Sequence, residues 1–215
     1  MTEDVSDCDE DPVTNEARRR FLVTATSVIG AIGVVGAAVP FIASWEPSAR
    51  ATAAGSPVDI SIKKLEPGQM VTVSWRSRPV WVLHRTPEQL ATLSKLNDAC
   101  KDPDSKADQQ FSPKVQNIYR SLEPAYFVCV GICTHLGCIP DYKPTPHSPE
   151  MGPQWLGGFF CPCHGSHYDL AGRVLKGSPA PLNLPVLPYY FLNDREIRVG
   201  TLADGSMKDW KPNTW

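Results

Sequence analysis

The segments Cys133-Thr134-His135-Leu136-Gly137-Cys138 and Cys161-Pro162-Cys163-His164-Gly165-Ser166 each hold thiols and an imidazole two or three positions apart. At that spacing the side chains of one loop can turn toward a common point, and two such loops make a metal site of mixed sulfur and nitrogen donors. Structural zinc accepts two cysteines and two histidines, so zinc is the plainest reading of the donor types. The count argues against it. Cys133, His135, Cys138, Cys161, Cys163 and His164 are six candidate ligands, more than a closed tetrahedral zinc site can use.

The compartment bears on the surplus. Phe21 to Ser44 is a run of 24 positions without a charge, roughly 36 Å as a helix and enough for a hydrocarbon core of about 30 Å. Arg18, Arg19 and Arg20 stand directly before it, which by the positive-inside rule keeps the N-terminus in the cytoplasm and sends the chain beyond Trp45 across the membrane. Arg18-Arg19-Arg20-Phe21-Leu22 also resembles a twin-arginine export signal; its bland alternative is a cluster of positive-inside arginines. Ala49-Arg50-Ala51 fits a processing site, yet the apolar run is longer than a secretory core, so a retained single-pass anchor is expected. Gly30, Gly33 and Gly36 give that helix a smooth flank suited to a partner helix. On the far side thiols oxidise, and a surplus cysteine pair becomes a natural disulfide.

The organisation expected is therefore an acidic cytoplasmic tail with the arginines (1–20), a transmembrane helix (21–44), a flexible hinge (45–57) and a periplasmic head (58–215). The hinge is rich in Ala, Ser and Gly with no apolar periodicity. In the head, Val58–Ile62, Met70–Trp75, Pro79–His84, Ala125–Gly131, Gly158–Cys161, Tyr189–Leu192 and Glu196–Val199 read as strands, the last two joined at Asn193-Asp194-Arg195. Thr86–Asp98 reads as a helix capped by Thr86, with Pro87 at its first position. The fold class is mostly β: an antiparallel sandwich head with a small metal-binding subdomain at about 130–185 and one helix-loop insertion. A chain of 215 residues with a formal charge of −2 excludes a multidomain enzyme and offers no electrostatic case for nucleic acid.

C-T-H-L-G-C followed by C-P-C-H-G-S-H-Y resembles the two cluster-binding boxes of Rieske iron-sulfur proteins. Their 2Fe-2S cluster has histidine in place of cysteine on one iron, which raises its potential. The resemblance implies Cys133 and Cys161 on one iron, His135 and His164 on the other, and a disulfide between Cys138 and Cys163. The extra cysteine pair and the anchor narrow it to the iron-sulfur subunit of the cytochrome bc complex. Ser166 and Tyr168 match the family's hydroxyl donors to cluster sulfurs, and Leu136 matches its apolar tip residue. Gly177-Ser178-Pro179-Ala180-Pro181 resembles the proline loop that covers the cluster. The implied function is electron transfer from ubiquinol to a c-type cytochrome, with His135 and His164 meeting the quinol and its proton, as a catalytic subunit alongside cytochrome b and a c-type cytochrome in the bacterial inner membrane. A dimeric complex is a family expectation that no residue here displays. A photosynthetic quinol-plastocyanin complex, a periplasmic molybdenum oxidase and a zinc-stabilised binding module are the alternatives.

Two departures stand out. Residues 136–160 separate His135 from Cys161, and 141–153 within them are Pro-rich and polar, an expected surface insertion. Ser178 lies between Gly177 and the first proline of the loop, one residue more than the family form. His84, His147 and His167 are expected not to be ligands, Cys8 and Cys129 are expected as free thiols, and Cys100 has no assigned role.

Overall fold

The computed structural model describes residues 15–49, 55–107, 110–207 and 210–211. Residues 1–14 of the expected acidic tail, Cys8 among them, and positions 50–54 of the expected hinge lie outside the described residues. The chain divides into two units, residues 1–50 and 51–215.

The first unit is one helix, α1 (Glu16–Ala43). It starts before the apolar run because the Asn15 side chain accepts the Arg18 N–H at 3.3 Å and caps the first turn. None of its residues is buried, and its mean hydropathy reaches 2.1 over an 18-residue window. From Phe21 to Ala43 the helix carries no charged side chain on any face, which suits lipid rather than water. Among the described residues it is the one helix long and apolar enough to cross a membrane.

The second unit is a head of three antiparallel three-stranded sheets. The first has the order β1 (Val58–Ser61), β9 (Glu196–Val199), β8 (Tyr189–Asn193). The second joins β2 (Met70–Trp75), β3 (Arg78–His84) and β4 (Tyr126–Val130). Arg76 and Ser77 between β2 and β3 both have positive φ, 51° and 59°, the twist a two-residue hairpin turn requires. β3 is the central strand and reads as a buried run, Val80 to Leu83, rather than an alternation. The third sheet carries β5 (Asp141–Lys143), β6 (Gly158–Cys161) and β7 (Ser166–Tyr168). Its core face meets the second sheet where Trp81 stacks on Phe159 at 5.0 Å.

The mostly-β head with an N-terminal apolar helix is as expected, but β5 and β7 are not. Three-residue strands are too short to show a period, and both exist because β6 offers hydrogen-bonding edges on each side. The expected surface insertion therefore begins as a sheet edge, and the Trp155 indole N–H donates to Lys143 O across it at 3.0 Å. The helix expected over 86–98 ends sooner: α2 is Pro87–Lys95, with a capping box between Thr86 and Gln89, followed by a single 3-10 turn at Asn97–Ala99.

Candidate metal centre

The two boxes are neighbouring loops of the head. In the first, the Cys133 N–H donates to Cys138 O at 2.7 Å and the Gly137 N–H to Cys133 O at 3.1 Å, closing a tight turn with Leu136 at its apex. Gly137 has φ of 84°, a conformation that favours glycine. The second box is the hairpin between β6 and β7, with Cys161 paired to Ser166 and the Gly165 N–H donating to Cys161 O at 2.9 Å. The sheet crowds at its start, where a Cβ on Gly158 would run into Tyr168 O.

Cys138 and Cys163 form a disulfide across the loops. Their sulfurs and that of Cys161 lie within 4.8 Å of one another, but a bonded pair has no thiolate to give a metal. The remaining thiols, Cys133 and Cys161, are both free and buried. Burial, followed by the neighbouring Cys133 thiol, pushes the Cys161 thiol up. The His135 and His164 rings meet edge to face at 4.7 Å between centroids. Leu136 and Ile139 beside them are 70% and 57% exposed, unusual for large apolar side chains on a packed head.

Two polar groups here keep bonding capacity that no described residue takes up. His135 Nδ1 is buried without a partner. Ser166 is fully buried, its oxygen accepts the Ala180 N–H at 3.0 Å, and among the described residues nothing accepts its proton. An imidazole lone pair and a hydroxyl proton left open beside two buried thiols fit an iron cluster that carries sulfide.

Around this pocket the polar groups are tightly arranged. The Tyr168 hydroxyl accepts the Thr134 N–H at 3.1 Å and lies 3.2 Å from Cys133 Sγ. Burial and the Cys133 contact hold that phenol far above its ordinary range, so it stays a donor. The Thr134 hydroxyl donates to Leu182 O at 2.6 Å, tying the first box to the end of the proline loop. Gly177, Pro179 and Pro181 lie in that segment, and the additional Ser178 joins it to the second box: its hydroxyl accepts the His167 N–H at 3.0 Å.

The other histidines are elsewhere engaged. His84 Nδ1 bonds Leu65 O at 2.7 Å, His147 Nδ1 bonds Pro153 O, and the His167 ring packs between Trp155 and Phe160. Cys100 and Cys129 are buried free thiols, each pushed up to about 12 chiefly by burial. Thr134, which the sequence reading did not single out, carries a signal only in its place between Cys133 and His135.

The sequence matches the Rieske 2Fe-2S domain family over residues 57–188. Residues 9–48 match the family described as "Ubiquitinol-cytochrome C reductase Fe-S subunit TAT signal". The ubiquinol-cytochrome c reductase iron-sulfur subunit of Allochromatium vinosum is 53% identical over 186 residues, covering 86% of this chain and 89% of that protein. The subunit of the same name from Blastochloris viridis is 42% identical over 189 residues, covering 87% and 95%. Among solved structures, a chain of a hyperthermophilic respiratory Complex III aligns over 81% of this chain and 98% of its own, at 25% identity and a TM-score of 0.46. Boxes, disulfide, anchor and relatives agree: the chain belongs to the Rieske 2Fe-2S family, among the iron-sulfur subunits of ubiquinol-cytochrome c reductase, with a Rieske-type cluster as its cofactor.

Proposed function

We propose that this subunit takes electrons from ubiquinol and delivers them to a c-type cytochrome, as a catalytic part of a respiratory complex with cytochrome b. The observation that carries the reading is the unpartnered, buried His135 Nδ1 set beside free Cys133 and Cys161, with exposed His164 edge-on to it. Cys133 and Cys161 would hold one iron and His135 and His164 the other. When bound, the cluster supplies one-electron chemistry at a potential raised by imidazole ligation.

The chain's own groups do the rest. Tyr168, 3.2 Å from Cys133 Sγ, and Ser166, whose proton no described residue accepts, would offer protons to the sulfurs and so favour the more negative reduced state. A histidine bound through one ring nitrogen keeps the other for a proton or a quinol hydroxyl. Leu136 at the apex, exposed between His135 and Gly137, supplies the apolar contact for docking. The names of the relatives favour the respiratory complex over the photosynthetic and molybdenum-oxidase alternatives. Export with Arg18–Arg20 retained inside puts the N-terminus in the cytoplasm and the head in the periplasm. The chain then divides at 20, 44 and 57, with residues 45–57 as the hinge on which the head moves between partners.

The test is the full chain in its membrane, analysed for iron, acid-labile sulfide and a reduced-state spin-resonance spectrum. His164→Ala is expected to abolish the Rieske spectrum. A zinc-loaded wild-type chain without sulfide would overturn the assignment.

A further inference from the structure

The proline loop has few ways of being held. Pro179 and Pro181 have no N–H to donate, which leaves the Ser178 and Ala180 amides, the loop's carbonyls and the Ser178 hydroxyl, which accepts the His167 N–H at 3.0 Å and donates to His167 O at 3.3 Å. The Ser178 N–H goes to Leu175 O at 3.2 Å and the Ala180 N–H to Ser166 Oγ at 3.0 Å. Two of the carbonyls converge on one side chain from a distant segment: Lys101 Nζ donates to Ser178 O at 2.7 Å and to Ala180 O at 2.8 Å. Backbone pairing aims it there, because the Lys101 N–H donates to Val174 O at 2.9 Å and the Lys176 N–H to Ala99 O at 2.7 Å. Among the described residues no carboxylate pairs with the Lys101 ammonium.

Ala180 is thus held from both sides, its carbonyl by Lys101 and its N–H on Ser166. A hydroxyl has one proton and two lone pairs. With a lone pair of Ser166 Oγ committed to Ala180, its proton is free of any protein acceptor among the described residues and available to a cluster sulfur. We propose that Lys101 is a positioning residue for the Rieske centre: by tying the proline loop down it fixes the Ser166 hydroxyl as a donor and so sets the reduction potential. The inference rests on the cluster reading above. Lys176 provides the comparison, because its ammonium lies in the same strip but donates to Asp98 O at 2.7 Å rather than to the loop.

The test uses the full chain in detergent, with Lys101→Met, Lys101→Arg and Lys176→Met. Two readouts are taken: the midpoint potential, from the spin-resonance signal, and hydrogen exchange of the 177–183 segment. Lys101→Met is expected to lower the equilibrium constant for reduction about tenfold, ~59 mV for a one-electron couple, and to speed exchange at the Ala180 amide about tenfold. Lys101→Arg should recover most of both, and Lys176→Met should change neither. An unshifted potential in Lys101→Met overturns the proposal, as does an equal shift in Lys176→Met, which would make the effect one of charge alone. Should Lys101→Met not accumulate, Lys101→Gln carries the same expectations. A wild-type chain without the Rieske signal would refute the cluster reading, while the exchange measurement would still report whether the tie exists.

Discussion

Tyr168 and Asp169 are neighbours in the chain, and they belong to opposite kinds of region. On the Asp169 side, Arg85, Arg120 and Arg173 are all fully buried around the turn 169–172. Arg85 donates to Leu170 O, Tyr119 O and Pro124 O; Arg120 to Ala171 O, Gly172 O and Leu184 O; Arg173 pairs with Asp169 at 2.7 Å. Of these arginine nitrogens only Arg120 Nε lacks a partner. Burial lowers Arg85 and Arg120 to about 10, which leaves both cationic at neutral pH. On the Tyr168 side, the tip keeps an imidazole nitrogen and a hydroxyl proton unspent and Leu136 and Ile139 in solvent. Polar groups satisfied within the protein hold a shape; polar groups left open beside them are for something the protein binds.

The contrast can be broken from either end. Cys161→Ala is the largest expected effect at the tip: complete loss of the Rieske spin-resonance signal and of bound iron. Far-ultraviolet circular dichroism should nonetheless keep its β signature, since the arginine region does not depend on that thiol. Arg173→Met acts on the other side. It strands the buried Asp169 carboxylate, and breaking a buried pair by removing one partner costs on the order of 3–5 kcal/mol. The midpoint in urea should fall accordingly; an unchanged midpoint would mean the pair does not hold the turn. Asp169 retains two backbone donors, Ala171 N–H at 2.9 Å and Arg173 N–H at 2.8 Å, so the loss should stay within that range.

How much of this was legible depended on distance along the chain. The boxes, the anchor and the Thr86 cap are local patterns, and each is where its residues put it. The hairpin that begins at Gly158–Cys161 was half visible: β6 has an apolar run, but β7 is the three residues Ser-His-Tyr and exists only through pairing. The expected continuous helix over 86–98 stops at Lys95, and the chain turns at Leu96 to bring Cys100 and Lys101 against 174–175. Nothing near residue 101 announces a partner more than 70 positions away. The buried arginines are the extreme case. Composition places arginine at the surface, and only carbonyls delivered by other loops make their burial tolerable.

The disulfide tests whether the tip's geometry is independent of the scaffold behind it. Cys138 and Cys163 are 25 residues apart, and closing such a segment contributes roughly 3.5 kcal/mol in the chain-entropy model. The Cys138→Ala/Cys163→Ala pair should lower the urea midpoint by about that energy. Bound iron should fall with it, because the sulfurs of the pair lie against Cys161. Full iron occupancy with a lowered midpoint would show that the link serves the fold and not the site.

The smallest effect makes the sharpest comparison, since one chemical change can be made on both sides. Tyr168 and Tyr189 are each fully buried, and each hydroxyl accepts a backbone N–H, from Thr134 at 3.1 Å and from Leu122 at 2.8 Å. They differ in what else the oxygen reaches, since Tyr168 lies 3.2 Å from Cys133 Sγ. On the proposed ligand set, removing the Tyr168 hydroxyl takes one donor from the Cys133 sulfur, a net hydrogen bond of about 1–1.5 kcal/mol. The potential should fall by up to ~59 mV, tenfold in the reduction equilibrium. Tyr189→Phe loses a comparable hydrogen bond and some stability, with the potential unmoved. Burial raises the Tyr168 phenol well above its ordinary value, so it is protonated below that point and donates throughout the neutral range. The difference between wild type and Tyr168→Phe should therefore be the same at pH 6 and pH 9; a gap that closes by pH 9 would mean that the phenol ionises and that its hydrogen bond to Cys133 is lost.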